Sequence, residues 1–512
     1  MNPARRLFLQ KTGPFFVWQW MVLAMAVGIP LRLGVVFTYS LFVDDASTYY
    51  ATAMSWGGLL ENRFRMGHLP LFFLLFKAWT TIVGTSSIAG RIPSFIFSTL
   101  AIPLSGVLAA RIGGARAAAI AMCLAAVHPS IVRHSSEMRM YSWLLLLGPL
   151  LLIALARMAD KPTPTRVLAA AGVHFVMLSL HASSPFFSLA AFGTFAVIAL
   201  RKHWPARWWG ALAVAFLLPY ALVLPQLVYL KMHLDMHQYQ KFLDVSPIEG
   251  VMDALYQQIC GMGSNASWIV MPQAVVLLLG AAAALIFTQP DTHSPDYPNA
   301  LSWKENAALC LAAGVGMQLI AFVVSLLGPQ VLGDPRYYIA TTIPLIAIIA
   351  AAGAAVRLRN GLGIAALSVA FLYAGGVATD RAYGRLRRTY LERGIGMNVL
   401  VQDLVTQLPG GAQVVRIDGD DGQIALAAYY LGNDTRFPIV AFDMALPKEE
   451  LRQQLRTRLD PAKDIIYIYY RDFEQPLYDA IRDAYPERTE VSAARRTTSY
   501  YILFKASETP AH

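Results

Sequence analysis

Cysteine is scarce in this chain, with three in 512 residues. Cys123 and Cys310 fall within apolar runs and Cys260 stands alone in a polar stretch. Neither a disulfide framework nor a thiolate metal site is expected from them. Charge is scarce too. Only 14% of the residues are Asp, Glu, Lys or Arg, against roughly 25% in a soluble globular domain. Phosphate loops are missing: the acidic run Asp418–Gly422 lacks the Gly-Lys-Ser/Thr ending, and its carboxylates would repel phosphate. Internal repeats are absent. The first apolar run, Phe15–Tyr39, is too long for a leader core and has no small-residue cleavage site after it, so no cleavable leader is expected.

What is abundant is apolar. Hydrophobic residues make up 56% of the chain and the mean hydropathy is +0.46, the composition of a polytopic membrane protein. The formal charge of +10 sits in short basic clusters between apolar runs. That is the positive-inside pattern rather than a nucleic-acid surface, and nucleic acid is excluded as a partner.

Eleven apolar runs follow in order, from Phe15–Tyr39 to Gly361–Thr379, so about eleven spans of ~20 residues are expected. Arg5, Arg6 and Lys11 put the N-terminus in the cytoplasm, and the odd span count delivers the C-terminus outside. His68–Val83, short and carrying Lys77, reads as a helix lying at the interface or a half-buried one. Within the series, Ser87–Ala110 and Ala117–Val132 form separate spans around Arg111 and Arg116, and Ile269–Phe287 is another. Beyond Asp380 the texture changes to alternating strands (Val414–Asp418, Pro438–Phe442, Ile465–Tyr470, Ser499–Lys505) and helices (Gln423–Leu431, Pro447–Leu459, Pro476–Tyr485). The expected organisation is a membrane module over 1–379, with its first outer loop at 39–71, and a small extracytoplasmic α/β domain over 380–512.

Four polar clusters lie at outer ends of spans and can converge on one cavity mouth: Asp44-Asp45, His68, Ser135–Tyr141 and Asp334-Arg336-Tyr337. Each has a structural alternative. Asp44-Asp45 could cap a helix, although one cap needs one carboxylate. Glu137 and Arg139 could pair at a helix end, His68 could flank a helix start, and Arg336 could snorkel to the headgroups.

In order along the chain stand Asp44-Asp45 after the first span, Gly67-His68-Leu69-Pro70-Leu71, Gly90-Arg91-Ile92-Pro93-Ser94 and Ser136-Glu137-Met138-Arg139-Met140-Tyr141. Arg336-Tyr337-Tyr338 and the turn at His181 complete the set. This pattern resembles the bacterial branch of the GT-C polytopic glycosyltransferases, the dolichyl-phosphate-mannose-protein mannosyltransferase-like group (family 39), akin to the lipid A aminoarabinose transferases. The chain departs from it in having Asp44-Asp45 for Asp-Glu and His68-Leu69-Pro70-Leu71 for His-Pro-Pro-Leu.

The resemblance implies an inverting transfer of a sugar from a polyprenyl-phosphate donor to a protein, lipid or glycan acceptor at the outer face of the inner (plasma) membrane. Asp44 would take the acceptor's proton, with Asp45 or Glu137 orienting. Arg336, Arg139 and His68 would hold the donor phosphate, with Tyr141, His181 and Tyr337 completing the substrate site. No cofactor is called for, and a divalent metal is not required. The alternatives are a lipid-linked sugar transporter or flippase and a non-catalytic glycan-assembly protein. Against transport, the polar clusters sit at span ends and no paired broken helices are visible.

Overall fold

The structure, a computed structural model, describes residues 7–38, 43–233, 247–260, 277–282, 285, 300–327, 334–355, 408, 410–417, 431, 436–442, 447–470, 475–491 and 499–505. Its residues cluster into two compact units, Met1–Phe37 with Ser55–Ala382 and Thr38–Met54 with Tyr383–His512. The segment bearing Asp44 and Asp45 thus groups with the C-terminal residues.

The first unit opens with a two-residue hairpin, β1 (Lys11–Thr12) and β2 (Phe15–Phe16), and the helix α1 (Val17–Thr38). Arg32 of α1 is wholly buried, and its guanidinium donates to the carbonyls of Ala126 at 2.9 Å and Ala125 at 3.0 Å. Those are carbonyls at a helix end, which would otherwise have no donor away from water. The contact needs Gly28, where a Cβ would lie 2.7 Å from Ile102 and 2.8 Å from Arg32.

Next in this unit come α3 (Trp56–Arg65), α4 (Leu71–Val83) and α5 (Ser87–Val127), α2 being the Asp44 helix of the other unit. At 41 residues α5 would measure about 62 Å if straight, twice a hydrocarbon core. It is not straight. Gly113 and Gly114 leave helical geometry, Gly114 at φ +70°, a conformation that favours glycine. A Cβ on Gly106 would lie 2.7 Å from Met122, although the two would be about 24 Å apart along a straight helix. The run is a helical hairpin, as the separate spans Ser87–Ala110 and Ala117–Val132 lead one to expect.

Helices α6 (Pro129–His134), α7 (Tyr141–Asp160), α8 (Pro164–Leu180), α9 (Ser184–Arg201), α10 (Ala206–His233) and α11 (Pro247–Cys260) follow. Then α12 (Trp303–Leu311) passes through a π-helical turn (Ala312–Gly316) into α13 (Met317–Leu327), and a 3₁₀ turn (Pro335–Thr341) leads into α14 (Thr342–Ala355). Among the described residues seven helices are long and apolar enough to cross a membrane, the α5 hairpin counted once. Helices α4 and α8 are shorter apolar ones. Leu168, Leu200, Leu217 and Leu327 are exposed on the outside of these helices, as lipid-facing residues are and large patches on soluble proteins are not. Helix α14, apolar all round, is almost wholly buried. Of the span expected over Ile269–Phe287 only 277–282 and 285 are described, all helical, and the span over Gly361–Thr379 lies outside the described residues.

The second unit holds α2 (Val43–Ala53) and a five-stranded sheet of order β4-β3-β5-β7-β6. Strands β3 (Gln413–Ile417), β4 (Ile439–Phe442) and β5 (Ile465–Tyr470) are parallel; β7 (Ser499–Lys505) pairs antiparallel with both β5 and β6 (Thr489–Val491). Helix α15 (Lys448–Arg458) links β4 to β5, and α16 (Gln475–Ala484) follows β5. Their apolar faces pack Leu451, Leu455, Leu477 and Ile481 against Val415, Ile465 and Phe504 of the sheet. Strand β6 is an addition to the expected elements. The run Asp418–Gly422 and, apart from Leu431, the expected helix Gln423–Leu431 lie outside the described residues.

Candidate active site

In the first unit the site is built around the turn from α5 to α7. Helix α6, with Pro129 at its first position, carries Arg133 and His134, and the chain then bends through Ser135–Met140 into α7. Glu137 is buried in that bend. Arg133 Nε donates to its Oε1 at 3.1 Å, and His134 Nδ1 lies 2.7 Å from Oε2. Burial by itself would raise this carboxyl, but His134, Arg133 and Arg336 outweigh it and hold it at about 2. Glu137 is therefore paired with Arg133 and His134, the residues four and three before it, rather than with Arg139.

The Gly90–Ser94 stretch of α5 cradles this bend. A Cβ on Gly90 would meet the Met138 sulfur at 2.9 Å, and Ser94 Oγ donates to the Glu137 carbonyl at 2.5 Å. Arg91, also buried, donates to the Val36 carbonyl at 2.8 Å. The sequence motif here is a seat for the Glu137 turn.

Tyr141 and the 3₁₀ turn bring the next residues together. Asp334 caps the turn by accepting from the Arg336 amide at 2.9 Å, and its other oxygen accepts from Arg336 Nε at 2.8 Å. So oriented, the Arg336 guanidinium lies 5.5 Å from the centre of the Tyr141 ring. His181 packs between Tyr337 and Tyr141, with ring centres 4.9 and 6.2 Å away. Ser183 Oγ lies 2.7 Å from His181 Nδ1 and donates to the Tyr337 carbonyl at 2.7 Å. Burial pushes His181 down to about 4, opposed by Asp334 and reinforced by Arg139 and Arg336. A neutral imidazole flanked by two arginines and two tyrosine rings can receive a ligand that carries negative charge and a sugar face.

Arg139 and His68 meet around Phe73. The Arg139 guanidinium is 5.7 Å from that ring's centre, the buried Arg63 is at 5.0 Å and the His68 ring at 5.5 Å. The Gly67-His68 pair has a backbone role as well. His68 N–H donates to the Arg63 carbonyl at 2.8 Å and Gly67 N–H to Phe64 at 3.0 Å, with Gly67 at φ +78°. This is a Schellman stop for α3, and glycine is the residue it prefers. His68 stands three residues past the end of α3 and three before the start of α4, whose N-cap is Pro70, so it also flanks a helix start.

Asp44 and Asp45 belong to the second unit. The stretch expected as a surface loop is largely helical, α2 and α3, with Ser55 capping α3 through the Gly58 amide at 3.1 Å. Both carboxylates fall in the first turn of α2, where the helix dipole favours negative charge. Asp45 is buried and Asp44 half-buried.

Arg63, Arg133, His134 and Ser183 went unsignalled in the sequence. Arg133 and His134 are legible only once α6 is known to be helical, because they reach Glu137 through helical spacing. Among the described residues no group of three or more His, Cys, Asp or Glu is placed to hold a metal.

No family model and no curated protein matches the chain. Solved structures do. ArnT from Cupriavidus metallidurans, in a crystal structure with undecaprenyl phosphate, is 14% identical at a TM-score of 0.54, covering 96% of this chain and 99% of that one. An oligosaccharyltransferase from Archaeoglobus fulgidus is 14% identical at 0.48, covering 97% of this chain and 75% of its own. The arabinofuranosyltransferase AftD from Mycobacteria is 14% identical at 0.49, and this chain spans 42% of it. The ArnT likeness gives the fold: this is a multi-pass helical membrane protein folded like that structure.

Proposed function

We propose that the chain is a membrane glycosyltransferase that moves a sugar from a polyprenyl-phosphate donor to an acceptor hydroxyl at the outer face of the membrane, with inversion. The observation that carries this reading is the grouping of Arg336, Tyr141, His181 and Tyr337 beside the Glu137 turn, at the ends of apolar helices. A transporter would need such groups at mid-span.

In this reading Arg336, oriented by Asp334, binds the donor phosphate, aided by Arg139 and by His68 near Phe73. The tyrosine rings and His181 bound the sugar. The acceptor oxygen attacks the anomeric carbon from the face opposite the phosphate. The bond from that carbon to the phosphate oxygen breaks, its electron pair stays on the phosphate, and arginine neutralises the charge that develops. The acceptor's proton passes to the Asp44 carboxylate, with Asp45 supporting it. Glu137, ionised and doubly paired, has little basicity left and serves to hold the turn. The basic clusters of the sequence favour a cytoplasmic N-terminus, with the second unit outside.

The test is a transfer assay on purified protein with a polyprenyl-phosphate sugar. Asp44→Asn keeps the side chain's size and removes its basicity. It is expected to cut turnover by ~10²-fold or more, the scale for a lost general base, without lowering the thermal midpoint. Normal turnover in Asp44→Asn and in Asp45→Asn alike would overturn the mechanism.

A further inference from the structure

One buried amide joins two parts of the site and has no role in the mechanism above. Gln258, in the last turn of α11, has no exposed surface. Its Nε2 donates to the Pro335 carbonyl at 2.8 Å, and its Oε1 accepts from Thr342 Oγ1 at 2.5 Å. The amide's orientation follows from its partners, because a carbonyl can only accept. Pro335 and Thr342 bracket the 3₁₀ turn that carries Arg336 and Tyr337. Short 3₁₀ turns have poor internal hydrogen-bond geometry, so bonds from outside largely fix their shape. The turn is also tightly seated, since a Cβ on Gly148 of α7 would lie 2.5 Å from the Ala340 carbonyl oxygen.

The residue after Gln258 reaches the other half of the site. The Ile259 carbonyl lies 3.3 Å from His128 Nε2, and His128 is the residue from which α6 and the Glu137 turn begin. Two consecutive residues of α11 therefore touch the 3₁₀ turn that carries Arg336 and the side chain of the residue that starts α6, the helix leading into the Glu137 turn. A buried glutamine is costly unless its hydrogen bonds are made, and a leucine or methionine would fill the same space without them. We propose that Gln258 is a positioning residue for donor binding: by bracing both ends of the 3₁₀ turn it sets where the Arg336 guanidinium meets the donor phosphate. This rests on the assignment of Arg336 to the donor phosphate.

The experiment is a double-mutant cycle in the purified full-length protein, with a polyprenyl-phosphate sugar as donor and thermal midpoints measured alongside. Gln258→Met fills the volume and removes both hydrogen bonds. It is expected to raise the donor KM about tenfold while kcat changes less than about twofold, and to add less than about twofold in KM when Arg336 is already alanine. Thr342→Val, which removes one hydroxyl, is expected to act in the same direction and more weakly, and it carries the test if Gln258→Met does not fold. Full additivity of Gln258→Met with Arg336→Ala, or a loss of thermal midpoint with donor KM unmoved, overturns the positioning role. An unchanged donor KM in Arg336→Ala itself refutes the assignment of Arg336, a different failure that the cycle separates from the first.

Discussion

Two acidic regions of this protein stand in different settings, one in a turn and one at a helix start. The Glu137 turn holds its acid between Arg133 and His134, buried and kept at about 2. The Asp44-Asp45 pair lies in the first turn of α2, where the helix dipole stabilises negative charge. A carboxylate already saturated by cations makes a poor base and a good brace. That pairing is the ground for giving Glu137 an architectural role, and proton transfer by Asp44 is the proposal that the variants below test.

The sharpest way to break this contrast is to neutralise each acid in turn. Beside the turnover loss expected of Asp44→Asn, Glu137→Gln leaves Arg133 and His134 facing an amide. It is expected to cost about 3–5 kcal/mol of stability, the scale for breaking a buried pair, read as a lowered thermal midpoint in detergent. Should Glu137→Gln keep its midpoint and lose only turnover, the two roles are wrongly divided. Asp45→Asn is expected to reduce transfer less than ~10²-fold, below the loss from its neighbour, and a larger effect would move the base to Asp45.

Acid sharpens the contrast by a second route. His181 sits at about 4 against an ordinary 6.5, so the unfolded chain takes up that proton first and stability falls as pH drops from 6.5 toward 4. Glu137 sits at about 2 against 4.5, so its contribution is complete above 4.5 and lost between there and 2. Thermal midpoints across pH should fall through both windows, and Glu137→Gln should flatten only the lower one. The smallest effect is expected of Arg133→Gln. Its side chain is one quarter exposed, and surface-screened pairs are worth about 1 kcal/mol or less. A midpoint drop as large as that of Glu137→Gln would make Arg133, not His134, the main partner.

Much of the fold was legible in the sequence because its signals are local and periodic. The apolar runs, the arginines flanking Gly113-Gly114, and strands such as Ile465–Tyr470 and Ser499–Lys505 announce themselves within a few residues. Helix α2 and helix α3 did not, since Ser, Thr, Gly and Asn dilute their propensity and the Ser55 cap reads equally well as loop. In the site, Arg336, Tyr141 and His181 stood out as polar residues at span ends. Gln258 did not, because its partners Pro335 and Thr342 lie 77 and 84 residues away, a pairing that no linear pattern carries. Arg63 was hidden in a polar decapeptide and becomes notable only when found buried over Phe73.

The reversal at Gly113-Gly114 also fixes a parity. Each crossing toggles the side on which the next connection emerges, so a hairpin counts as two crossings where a continuous rod would count as one. Because the chain turns back there, the residues before Ser87 and those after Val127 emerge on a common side, and the Glu137 turn opens where α4 ended. The break at Gly113-Gly114 thereby sets the side on which the Glu137 turn emerges.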